Sequence, residues 1–159
     1  NTYKKSIGRR RPAMIQKFKK TPFWALVSGL AGIVVFLVAL LVLRFIAGHT
    51  ASPFLDGFVS LLFASTPVII IFSVLFMVAD VFSSFPLPAN LPYPVFNAVA
   101  SVLLVTFLIS MLQYFNEYFA LGFGGVLDTL TIILIPLVLV VVLIAGYVGI
   151  FTGLPVQEE

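Results

Sequence analysis

Four long runs of apolar residues divide the chain, each ended by a short cluster of proline, glycine or hydroxyl side chains. Runs of this length cross a bilayer's hydrocarbon core, which needs about 20 apolar residues in helical form. The pattern therefore predicts four transmembrane helices, over about 22–47, 53–82, 95–119 and 126–152. A helix starting at Pro22 and ending at Ala47 would be roughly 39 Å long at 1.5 Å per residue. That spans the core with some tilt.

The punctuation between the runs agrees with this division. Thr21 before Pro22, and Ser52 before Pro53, each read as a cap followed by a first-turn proline. Gly48 to Pro53 is a short connection, and Gly122, Gly124 and Gly125 mark another. Ser83 to Pro94 holds four prolines and no charge, which predicts a stiff, partly extended loop whose Phe85, Leu87, Leu91 and Tyr93 lie in the interface. Pro67 and Pro136 fall inside the second and fourth runs and predict kinks.

Within the runs, small residues recur at helical spacing. Ala25, Ser28, Gly29 and Gly32 give overlapping pairs four apart in the first run, and Ala145, Gly149 and Gly153 repeat the spacing in the fourth, beside Gly146. Such positions let another helix approach closely, in the same chain or in a second subunit. In the third run Thr106, Ser110, Gln113 and Glu117 fall within about 60° of arc at 100° per residue, forming a polar stripe. A stripe of this kind avoids lipid and serves either packing between helices or a conduction pathway.

A shift of 69 residues superposes Pro67 on Pro136, Phe54 on Phe123 and Arg44 on Gln113, as in two hairpins repeated in the same orientation.

Charge sets the orientation. Eight of the nine Lys and Arg residues lie between Lys4 and Lys20: Lys4, Lys5, Arg9, Arg10, Arg11, Lys17, Lys19 and Lys20. Basic residues beside a span are retained in the cytoplasm, so four spans place both termini there. The same cluster attracts anionic headgroups, at about 1 kcal/mol per residue. Met14, Ile15 and Phe18 fit a short interfacial helix within it. The organisation expected is a basic cytoplasmic or interfacial segment over 1–21, a four-helix transmembrane domain over 22–153 and a short tail over 154–159. Because the basic segment adjoins a span, no nucleic-acid partner is expected.

Of the 159 residues, 61% are hydrophobic and only 9% charged, against about a quarter charged in soluble proteins. The fold class is thus an all-α integral membrane protein, a four-helix transmembrane bundle. Zero cysteines leave no disulfide framework and no thiolate ligand, and the single histidine, His49, cannot make a bis-histidine haem or a zinc site within one chain. No nucleophile elbow, zinc-helix motif or phosphate-cradling glycine loop occurs, so no cofactor, metal or catalytic residue is assigned. Arg44, Asp56, Asp80, Glu117 and Asp128 all fall near helix ends, where headgroups can hydrate them. Charges at the bilayer centre, the mark of proton relays and ion-coupled carriers, are missing.

These features favour a non-enzymatic, oligomeric membrane subunit or scaffold that packs with copies of itself or with another membrane protein. Two alternatives stand beside it. One is an oligomeric channel or transport protein with helices two to four lining a pathway. The other is a lipid-acting membrane enzyme using Asp80, Asp128 or Glu117.

Overall fold

The computed structural model describes residues 22–152. The basic segment with Lys4, Lys5, Arg9, Arg10, Arg11, Lys17, Lys19 and Lys20, together with Gly153 and the tail over 154–159, lies outside the described residues. Four helices account for nearly everything else: α1 (Pro22–His49), α2 (Pro53–Ser83), α3 (Tyr93–Tyr118) and α4 (Gly124–Thr152). All four are long and apolar enough to cross a membrane.

Three boundaries move by two residues from those expected, for local reasons, and the ends of the second and third helices by one. The third helix begins at Tyr93, two residues early, because Pro94 sits in the first turn, where its missing N–H costs nothing. The fourth begins at Gly124, where the carbonyl of Phe123 accepts from the N–H groups of Val126 and Leu127 at 3.0 and 2.9 Å. The first runs on to His49, whose Nδ1 lies 2.8 Å from the Phe45 carbonyl oxygen. Both α2 and α4 continue through Pro67 and Pro136 as single helices.

The loop after α2 differs more from its expected extended form. It winds through successive turns, with Ala89 donating to Pro86, Leu91 to Pro88 and Tyr93 to Asn90 at 3.0 to 3.2 Å. Proline lacks a donor but keeps its carbonyl, and its fixed φ suits the turn position as well as the extended one.

The helices pack in chain order. α1 contacts α2, α2 contacts α3 and α3 contacts α4, and among the described residues no other pair meets. The bundle is therefore an open row, with α1 and α4 each touching one neighbour. At one end lie the two short turns, α1 to α2 and α3 to α4; at the other lies the longer loop between α2 and α3.

What is buried in the row is small. Ala25, Ala47, Ala79, Ala98 and Ala100 are buried, with Leu40, Val59, Ile69, Ile109 and the fully buried Pro94. Large side chains such as Val35, Leu41, Phe45, Ile132 and Ile144 point outward. Lipid tails are as apolar as leucine, so helices in a bilayer associate by close backbone approach instead of by hiding large residues. The glycines show the same logic: a Cβ on Gly29 would lie 2.9 Å from Met77 Cγ, and one on Gly146 would lie 2.7 Å from Pro94 Cβ. By contrast α4 contributes no buried residue, and a Cβ on Gly32 or Gly149 would meet nothing within 4 Å.

Helix ends also recur at the spacing of 69. His49 and Tyr118 end α1 and α3, Ser83 and Thr152 end α2 and α4, and among the described residues Ala51 and Ala120 are the non-glycine positions with positive φ, at 28° and 50°. Both short turns thus leave the helix through a left-handed alanine two residues past its end.

Candidate functional site

Polar chemistry gathers at the short-turn end. The α2–α3 interface closes there on an aromatic cluster. The Phe54 ring lies 4.9 Å from that of Tyr118 and 5.9 Å from those of Tyr114, Phe115 and Phe119. The Tyr114 hydroxyl donates to the Phe54 carbonyl at 2.7 Å, tying α3 to the first turn of α2. The close approach needs Gly57, because a Cβ there would lie 2.5 Å from the Tyr114 oxygen.

Along α3 the stripe separates into different roles. Thr106 and Ser110 donate to carbonyls one turn back in their own helix, Val102 at 2.9 Å and Thr106 at 3.1 Å. Only Gln113 reaches across, its Nε2 donating to Asp128 Oδ1 of α4 over a long 3.4 Å. Glu117 is exposed. Next to it, Asn116 Oδ1 accepts from the Phe123 N–H at 2.7 Å, and its carbonyl accepts from Leu121 at 3.0 Å, so Asn116 shapes the α3–α4 turn. The three acidic side chains considered for lipid chemistry do not converge. Glu117 and Asp128 are at the short-turn end, whereas Asp80 sits at the opposite end of α2, where its carbonyl accepts from Ser83 and Ser84 at 2.7 and 3.0 Å.

Two of the clefts on the row gather several polar groups. One, of about 540 Å³, sits at the long-loop end among Ser83, Asn90, Tyr93, Asn97 and the Ala145, Gly146 and Gly149 face of α4. Within this region the Asn90 Oδ1 is buried without a partner. The other, of about 550 Å³, sits between α1 and α2 at the short-turn end and is lined by Arg44, Ala47, Gly48, Asp56, Val59, Ser60 and Phe63. Arg44 is held with its guanidinium carbon 4.8 Å from the centre of the Phe63 ring. Neither cleft includes a residue of the stripe.

Sequence reasoning singled out Gly29, Gly32, Ala145 and Gly149 together. The structure engages Gly29 and leaves Gly32 and Gly149 open, while among the described glycines of α4 the close approach belongs to neighbouring Gly146. Tyr114, Gly57 and Asn116 carried no motif. An asparagine seven residues before a glycine-flanked turn was the one available signal, through its ability to accept from turn N–H groups.

The class this fold defines is a polytopic helical membrane protein. No protein-family model matches the chain, and neither a curated protein nor a solved structure does.

Proposed function

We propose that the protein is a non-enzymatic membrane subunit that assembles with further copies of itself. The open row carries this reading: among the described residues α4 packs on no helix but α3, buries none of its own residues, and leaves Gly149 exposed with nothing within 4 Å of where a Cβ would stand. Together with Ala145, this gives α4 a small-residue face of the kind by which membrane helices associate. The basic segment at the N-terminus holds both termini in the cytoplasm and contacts anionic headgroups.

Subunit counting in bilayers, by single-molecule photobleaching of the labelled chain, tests the assembly. The parent is expected as an oligomer, and replacing Gly149 and Gly153 by Leu is expected to lower the subunit number while helicity is retained. A monomeric parent, or an oligomer indifferent to the change, overturns the proposal.

The pathway alternative draws support from exposed Thr106 and Glu117 on α3. Against it, the Thr106 hydroxyl is satisfied within its own helix and needs no water.

A further inference from the structure

The α1–α2 cleft has a composition that lipid contact alone does not explain. Arg44, Ala47 and Gly48 share one face of α1, and Asp56, Val59, Ser60 and Phe63 share one face of α2, at spacings of three and four. The cleft therefore brings together a guanidinium, a carboxylate and a hydroxyl over an apolar lining in which Ala47 and Val59 are buried. Arg44 and Asp56 line the same space, yet among the described residues neither forms an ion pair or side-chain hydrogen bond, and Ser60 donates to nothing. Charges near a membrane segment are costly unless compensated. Here the two charges cancel in number but stand apart across a cavity.

The second hairpin gives an internal comparison. Sixty-nine residues on from Arg44, Asp56 and Ser60 stand Gln113, Gly125 and Thr129. There the polar groups close on the protein itself: Gln113 donates to Asp128, and Thr129 donates to the Gly125 carbonyl at 2.9 Å. Gln113, Asp128 and Thr129 thus find side-chain hydrogen-bond partners within the second hairpin, whereas among the described residues Arg44, Asp56 and Ser60 find none in the first.

We infer that the α1–α2 cleft binds a small zwitterion carrying a phosphodiester and a primary ammonium, as in an ethanolamine phospholipid headgroup. Arg44 presents a planar fork of donors that matches two phosphate oxygens, and its contact with Phe63 fixes where that fork stands. Asp56 accepts from the ammonium, and Ser60 adds a donor to the phosphate. A ligand of zero net charge fits a cleft of zero net charge, whereas an anionic headgroup would meet Asp56 with no ammonium to offset it. A quaternary ammonium lacks the N–H donors that Asp56 would use, and Phe63, the ring that could receive it, is occupied by Arg44. The ethanolamine phosphodiester can arrive as a lipid headgroup or as soluble glycerophosphoethanolamine, and both carry zero net charge.

The test uses the purified full chain in detergent. It is equilibrated with equal amounts of phosphatidylethanolamine, phosphatidylcholine and phosphatidylglycerol of matched acyl chains, and bound lipid is read by native mass spectrometry. Soluble glycerophosphoethanolamine is titrated in parallel against the thermal unfolding of the same protein. The parent is expected to retain the ethanolamine lipid over the glycerol lipid by about tenfold, the ratio that one charge-assisted hydrogen bond supplies. Asp56→Asn should erase that preference, Arg44→Gln should lower retention of all three lipids, and Gln113→Leu should leave the preference unchanged. A rise in unfolding temperature with glycerophosphoethanolamine but no lipid preference assigns the same cleft to the soluble source, provided Asp56→Asn abolishes the rise. Absence of both effects in the parent overturns the inference, as does either effect persisting undiminished in Asp56→Asn.

Discussion

Replacing Gly57 by alanine should destabilise the protein, although alanine is the better helix former. The added Cβ would stand 2.5 Å from the Tyr114 hydroxyl oxygen, 3.1 Å from Cε2 and 3.2 Å from Cζ. Tyr114 has little freedom to yield: its hydroxyl is bonded to the Phe54 carbonyl at 2.7 Å, and its ring lies 5.9 to 6.2 Å from those of Phe54, Phe58, Phe115 and Tyr118. Overpacking of this kind costs about 1–3 kcal/mol, and displacing the hydroxyl loses a bond worth about 1 kcal/mol. Alanine's helix propensity returns about 1 kcal/mol relative to glycine. The balance is a loss of about 1–3 kcal/mol. Gly32→Ala is the matched control, because its Cβ meets nothing within 4 Å and only the propensity gain remains. Unfolding in detergent by titration with dodecyl sulfate, followed by far-ultraviolet circular dichroism, should move in opposite directions for the two variants. Adding Tyr114→Phe to Gly57→Ala removes the closest atom, so the double variant should lose less than the sum of the singles. Equal behaviour of Gly57→Ala and Gly32→Ala, or strict additivity in the double variant, would refute this account of the α2–α3 contact.

Gly146→Ala should lower stability by about 1–3 kcal/mol in the same titration, because its Cβ would lie 2.7 Å from Cβ of the fully buried Pro94, which cannot rotate away. Gln113→Leu removes a single long bond to Asp128, so its cost should stay below about 1 kcal/mol, and a larger fall would mean that the bond is stronger than its 3.4 Å length implies. Glu117→Gln should leave stability unchanged; liposome flux of cations that falls in this variant would favour a pathway over a scaffold. For orientation, a cysteine placed between Gly48 and Pro53 should react with an impermeant reagent from outside the cell, and one at Gln157 should not. Reversed labelling would remove the assignment made from the basic segment.

Where the helices lie was legible in the sequence, because crossing hydrocarbon is a demand on length and composition that each segment meets alone. The apolar runs, the proline starts at Pro22 and Pro53 and the turn glycines placed four helices to within about two residues. How the helices meet was not legible in this way. Hydropathy cannot tell a lipid-facing leucine from a buried one, since the surroundings are equally apolar, and small-residue spacing marks a face that can pack without naming its neighbour. Only the tertiary structure decided that Gly29 meets Met77, that Gly146 and not Gly149 meets Pro94, and that Gly57 makes room for Tyr114. It likewise decided that Gln113 alone of its stripe crosses to another helix, and that Arg44 faces Asp56 across a cleft. Those pairings depend on the rotation of each helix about its own axis, which is fixed by contacts between segments far apart in the chain, such as Phe54 and Tyr114, 60 residues apart.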